Sequence, residues 1–319
     1  MSSLAVRCAE LVIRRSESER PSWSNGAELN EIIRHPNFTM ASKSERPELL
    51  MRSARAKYES EIHYSWDHYF GEDLAPLLAG KRVMDLGCLF GGRSVAWAER
   101  YRIEHMTGID VHPAYIEAAT RFAQSRNVKA DFHLAVGERL PFEAGTFHAI
   151  LSFDVYEHVQ SVAATLIECH RVLRPGGHLC VVFPSYWQPL EHHLSLVTRV
   201  PGLQYMFSGH TLVAAYNQIL DSRGVDAAWY KRQKPELQPW ERCNTINGTT
   251  LRSFRRLIKE GGWQIVKHSR PPIGSMGRTV VNRPRPWHRA LAAVGRALVE
   301  IPVVNEAFLH RIVFILRRD

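Results

Sequence analysis

The chain has 319 residues, 45% of them hydrophobic, and a formal net charge of +9. That length and composition suit one large α/β domain with insertions, or two domains, and exclude a disordered or low-complexity chain. Its five cysteines (Cys8, Cys88, Cys169, Cys180 and Cys243) are scattered without metal-ligand spacing, which excludes a disulfide framework and a structural zinc site.

Residues 1–75 read as a helical extension with polar turns at 16–25 and 42–48, closing on the aromatic cluster His63-Tyr64-Ser65-Trp66-Asp67-His68-Tyr69-Phe70. Glu10, Arg14 and Arg15 interrupt the first segment where a signal peptide needs an apolar stretch, so a cytoplasmic location is expected. From residue 76 to 184 strands and helices alternate. Strands are expected at 81–86, 106–110, 130–135, 149–153 and 178–183, with helices at 92–101, 114–125 and 162–172. Arg174-Pro175-Gly176-Gly177 stops the last of these helices.

The rhythm breaks over 185–248, an aromatic and polar stretch that reads as a lid insertion after strand five. It carries Tyr186, Trp187, Tyr205, Phe207, His210, Trp229, Tyr230 and Trp240, which line a substrate pocket or form the insertion's own small core. Its last residues, Cys243-Asn244-Thr245-Ile246-Asn247-Gly248, form a polar loop suited to placing amides near substrate hydroxyls.

Regularity returns in 249–319. Thr249-Thr250 caps a helix over 251–260 that ends at Gly261-Gly262, and a strand follows at 263–268. The run 311–316 reads as a membrane-contacting helix or a strand buried on both faces; its β-branched content favours the strand. The fold class is therefore α/β, a Rossmann-like doubly wound sheet of seven mostly parallel strands.

Chemistry enters at Asp85-Leu86-Gly87-Cys88-Leu89-Phe90-Gly91-Gly92, between the first strand and its helix. Glycines there let the backbone approach a ligand. Asp110, about 25 residues on, is placed to accept hydrogen bonds from a ribose. Leu89 occupies the position of the second glycine of a dinucleotide fingerprint, and Asp85 would repel a pyrophosphate. Both features count against a nicotinamide cofactor and suit one that carries an ammonium and a sulfonium.

With three further segments the set resembles the class I S-adenosylmethionine-dependent methyltransferases, in particular a type 11-like core, over roughly residues 80–184. These segments are Gly137-Glu138-Arg139-Leu140-Pro141-Phe142, Ser152-Phe153-Asp154-Val155-Tyr156-Glu157-His158-Val159 and Arg171-Val172-Leu173-Arg174-Pro175-Gly176-Gly177. The resemblance implies S-adenosyl-L-methionine as cofactor. Asp85, Gly87, Cys88 and Gly91 would then border its methionine end, and Asp110 with Val111 its ribose. Phe153 and Asp154 would lie against it after strand four. Val136 stands where the family has an adenine-binding Asp, which leaves adenine to packing, backbone and Glu138.

Methyl transfer to a hydroxyl benefits from a base that titrates near neutrality, for which histidine is suited. The candidates are His158, after strand four, and His192 and His193, on the lid. A divalent metal at Asp154, Glu157 and His158 is a weaker reading, and no metal site is assigned. The expected substrate is a small molecule or glycan: a secondary metabolite, quinone precursor or envelope sugar. The alternatives are an RNA methyltransferase and a catalytically silent cofactor-binding protein. No segment suits a flipped base and no RNA-binding module is present, which argues against nucleic acid. Residues 270–319 hold nine arginines and no lysine against three acids. This basic region suits peripheral contact with an anionic membrane through 284–309, or is a solvated arginine-rich face.

Overall fold

The computed structural model describes residues 4–15, 46–63, 66–189, 200–222, 247–273, 293–302 and 304–319. Helices α1 (Leu4–Arg15) and α2 (Arg46–His63), a 3-10 turn (Trp66–Tyr69) and the short α3 (Ala75–Leu78) precede the sheet. The alternating core runs β1 (Arg82–Leu86), α4 (Gly92–Arg100), β2 (His105–Asp110), α5 (Pro113–Ser125), β3 (Ala130–Leu134), β4 (Phe147–Phe153), α6 (Val162–Val172) and β5 (Leu173–Phe183). Two helices follow in the insertion, α7 (Leu203–Met206) and α8 (Gly209–Ser222). The chain closes with α9 (Leu251–Glu260), β6 (Gln264–Ser269), α10 (Asn305–Phe308) and β7 (Ile312–Arg317).

The seven strands lie in the order β3-β2-β1-β4-β5-β7-β6. β1 to β5 are parallel to their neighbours, and β7 runs antiparallel between β5 and β6. Side chains alternate between two cores, as the two-residue strand period requires. On β7, Val313 and Ile315 enter the core beneath α4 and α5, whereas Ile312, Phe314 and Leu316 enter the core beneath α6 and α9. A strand buried on both faces explains the unbroken apolar run at 311–316 and settles it against a membrane-contacting helix. Among the described residues, no helix is long and apolar enough to cross a membrane.

β5 begins at Leu173, directly after α6, rather than at residue 178 as the Arg-Pro-Gly-Gly turn suggested. Gly176 N–H donates to Arg318 O, and Arg318 N–H donates to Gly177 O. Pairing with Arg318 thus turns the stop signal into an extension of the strand. α9 follows its sequence signals: Thr250 and Ser253 form a reciprocal capping box, and Gly261 is the C-cap.

α2 lies across α4 and α5, making a further helical layer outside the sheet. A Cβ on Gly92 would sit 2.1 Å from Ala54 O, so glycine allows the two helices to approach this closely. At their contact Trp97 Nε1–H donates to the buried Glu61 carboxylate at 3.0 Å, and Lys57 pairs with Glu61 at 2.9 Å. α1 makes a different association. Its Val6, Ala9 and Ile13 pack with Leu203, Leu212, Ala215 and Ile219 of α7 and α8 in a third cluster, separate from both faces of the sheet.

Candidate active site

The sheet's winding reverses between β1 and β4, and the carboxyl ends of these strands open the crevice where such sheets bind ligands. The turn after β1 is bound to the end of β2: Gly87 and Cys88 N–H both donate to Ile109 O at 2.9 Å. Gly87 and Gly91 have φ of +78° and +77°, and Leu89 adopts the same left-handed region at +51°. Leu89 N–H donates to Asp110 Oδ2 and His112 N–H to Asp110 Oδ1, each at 3.0 Å. Asp110 thereby joins the glycine turn to the start of α5, with Val111 between. Burial pushes its carboxyl up, while His112 and the N–H groups of Leu89, His112 and Val111 pull it back in part.

Asp85 lies differently from what the resemblance implied. Its carboxylate is 1% exposed and pairs with Arg93 Nη2 at 2.9 Å, while Ser94 Oγ–H donates to its second oxygen at 2.7 Å. Arg93 also donates to Gly87 O at 3.2 Å and stacks over Phe153 at 5.0 Å. Burial lowers the Arg93 guanidinium, but Asp85, Glu61 and Asp154 outweigh it and hold it above its ordinary value. Asp85 thus braces the turn from below, because Arg93 and Ser94 on the first turn of α4 claim both its oxygens. The Cys88 side chain is likewise turned inward, and burial raises its thiol well above the usual range.

After β4 the side chains divide. The Phe153 ring points into the core, edge-on to Trp66, Phe70 and Trp97 at 5.1–6.0 Å. Asp154 has φ +53° and accepts from Arg311 Nε at 3.1 Å. Arg311, just before β7, lies 6.0 Å from the Trp66 ring, and Tyr69 Oη meets His310 Nδ1 at 3.1 Å. Trp66, Tyr69, His310 and Arg311 are therefore gathered beside Asp154. Nothing local in the sequence places the aromatic cluster in the site, and Arg311 reads there only as the start of a strand. The side chain of Glu157 is fully buried, with Oε1 3.7 Å from Nε2 of the part-exposed His158.

Glu138 is held at the approach to α6. Its Oε1 accepts from Gln160 N–H at 2.7 Å and Ser161 N–H at 3.1 Å, which secures the approach to α6. His192 and His193 lie outside the described residues, as do Trp229, Tyr230 and Trp240. Of the other insertion aromatics, Phe207 packs against the cluster under α1, whereas Trp187 and Tyr205 are exposed and stack at 5.7 Å. Among the described residues, no three His, Cys, Asp or Glu side chains are grouped to hold a metal ion.

Residues 84–181 match the model of a methyltransferase domain family. A ubiquinone biosynthesis O-methyltransferase of Pseudomonas aeruginosa (strain UCBPP-PA14) is 31% identical over 139 residues, covering 39% of this chain and 59% of that protein. Its counterpart from Marinobacter nauticus is 35% identical over 107 residues, covering 33% of this chain and 44% of that one. The chain thus spans roughly half the length of these curated relatives. An S-adenosylmethionine-dependent methyltransferase structure from Mesorhizobium loti superposes with a TM-score of 0.46 and 17% identity, covering 76% of this chain and 93% of that chain. The motif order, the sheet order and the family match together identify residues 84–181 as a methyltransferase domain of the class I S-adenosylmethionine-dependent family.

Proposed function

We propose that the chain transfers a methyl group from S-adenosylmethionine to a hydroxyl of a small molecule or glycan, with a quinone-precursor hydroxyl as the leading acceptor. The observation that carries the reading is Asp110. Its oxygens accept the Leu89 and His112 N–H groups, with the Val111 N–H close by, and a carboxylate offers about four acceptor positions, so capacity remains for a ribose hydroxyl. The donor set therefore fits the cofactor. Gly87, Leu89 and Gly91, backed by the Asp85–Arg93 pair, would form the floor for its methionine end. The names of the curated relatives support a hydroxyl as acceptor.

The cofactor supplies a methyl group on a positively charged sulfur. The chain's part is to orient the acceptor in line with that bond and to exclude water from the crevice. Trp66, Tyr69, His310 and Arg311 provide a wall of aromatic and cationic side chains for this task. His158 takes the hydroxyl proton on its imidazole, and the Glu157 carboxylate beside it offsets the charge the ring gains.

Calorimetric titration with S-adenosylmethionine tests the first half of the reading, and absence of binding refutes it. Incubation with cofactor and a metabolite pool tests the second. A cofactor-dependent gain of about 14 Da, one added methyl, is the expected product. Binding without any such gain would leave a silent cofactor-binding protein instead.

A further inference from the structure

The insertion returns to the core through Asn247, and the hydrogen bonds of this residue are directed at one short stretch of backbone. Asn247 N–H donates to Glu157 O at 2.7 Å. Its Nδ2 donates to Tyr156 O at 2.7 Å and to Val159 O at 2.8 Å. Its Oδ1 accepts from the Thr249 amide at 3.1 Å and from the Thr249 hydroxyl. Residues 155–159 belong to neither helix nor strand, so their carbonyls have no regular ladder to satisfy them. Asn247 supplies the partners for three of these carbonyls, and His158 lies in the middle of the stretch.

The returning end of the insertion is itself fixed. Tyr186 N–H donates to Thr249 O at 3.0 Å, pairing the outgoing and returning stems. Glu306 accepts from the Ser185 hydroxyl and from Leu251 and Arg252 N–H at 2.7 and 3.3 Å, joining both stems to the first turn of α9. Asn247 is therefore a rigid bracket. We infer that Asn247 is a positioning residue for His158, setting the place of its imidazole through the carbonyls of Tyr156, Glu157 and Val159. The inference rests on the reading of His158 as base given above. The residue type is required: an Asp would set oxygens against carbonyl oxygens, and an Ala would leave two carbonyls without donors.

The test is the ring resonance of His158 in protein labelled with 13C-histidine, assigned by its disappearance in His158→Gln. Asn247→Ala should displace this cross-peak by more than its line width. Asn247→Asp, which keeps the volume but loses both donors, should displace it as well. Tyr58→Phe serves as the control, because it removes the Glu99 and Arg126 hydrogen bonds on the outer α2 layer and loosens the protein away from His158. Its cross-peak should stay in place, and the cofactor dissociation constant should be unchanged in all three variants. An unmoved peak in the Asn247 variants overturns the inference, and so does an equal displacement in Tyr58→Phe. If Asn247→Ala does not fold, Thr249→Val, which removes one bond to Oδ1, is judged by the same criterion. A wild-type protein that binds no S-adenosylmethionine would refute the proposed function, whereas the resonance would still decide the role of Asn247.

Discussion

Asp110→Ala is the sharpest perturbation of the proposed cofactor site. The carboxylate is 7% exposed and accepts Leu89 and His112 N–H, with the Val111 N–H close by, which leaves acceptor capacity for ribose hydroxyls. Hydrogen bonds to a charged group contribute roughly 1.5–3 kcal/mol each at most, and part of that is recovered when water satisfies the ribose in the variant. A net loss of about 1.5–3 kcal/mol follows, equivalent to roughly 10- to 150-fold in dissociation constant. Calorimetric titration should be run with S-adenosylmethionine and with S-adenosylhomocysteine, which share the ribose but differ in charge at sulfur. The loss should be the same for both. A dissociation constant within about twofold of wild type would refute the assignment. A loss confined to the charged cofactor would show that Asp110 acts on the sulfonium and not on the ribose.

Because burial raises the Asp110 carboxyl, cofactor affinity should be full at neutral pH and fall on acidification before ordinary carboxylates, near pH 4, are reached. The sign for folding is opposite. A raised carboxyl holds its proton more tightly in the native state, so this group's contribution to stability declines as pH rises from the ordinary value through the raised one. Calorimetry from pH 8 to 5 against Asp110→Ala checks the first statement, and parallel pH profiles of wild type and variant would sink it. Leu89→Gly should be neutral or stabilising by up to about 1 kcal/mol, since left-handed backbone costs a leucine roughly 1–2 kcal/mol and glycine returns part of that as entropy. Urea denaturation would expose the error if the variant lost stability. Arg93→Met should cost about 3–5 kcal/mol by leaving Asp85 buried without its cation. A change below about 1 kcal/mol by the same assay would mean that the pair is not needed.

The sheet was legible because its strands carry their signal locally. β1, β4 and β7 are largely apolar segments bounded by turns, and Thr250 with Gly261 brackets α9. Of the candidate site, the sequence carries a local signal for the turn glycines, whose left-handed backbone is a property of the turn itself. The buried pair of Asp85 is not legible in the sequence, because Arg93 is eight positions away on a helix whose sequence looks merely amphipathic. The partners of Glu138, the amides of Gln160 and Ser161, are equally illegible, because they belong to a later helix start. α2 gave no clear apolar stripe, since it docks partly through polar contacts of Tyr58 and Glu61. Arg311 and Asn247 meet the site from far along the chain, and no local pattern announces such contacts.

The docking of α1 on α8 has a consequence for how the molecule is made. Val6, Ala9 and Ile13 are synthesised among the first residues described, but Leu212, Ala215 and Ile219, their partners, follow about 200 residues later. At a synthesis rate of about 5–20 residues per second, the apolar stripe of α1 waits roughly 10–40 s for its cover. The parallel strands β1 to β5 are also complete before that, so they can begin to pair while the first helix is still unpartnered. In that interval the apolar stripe of α1 is open to chaperones and to wrong partners.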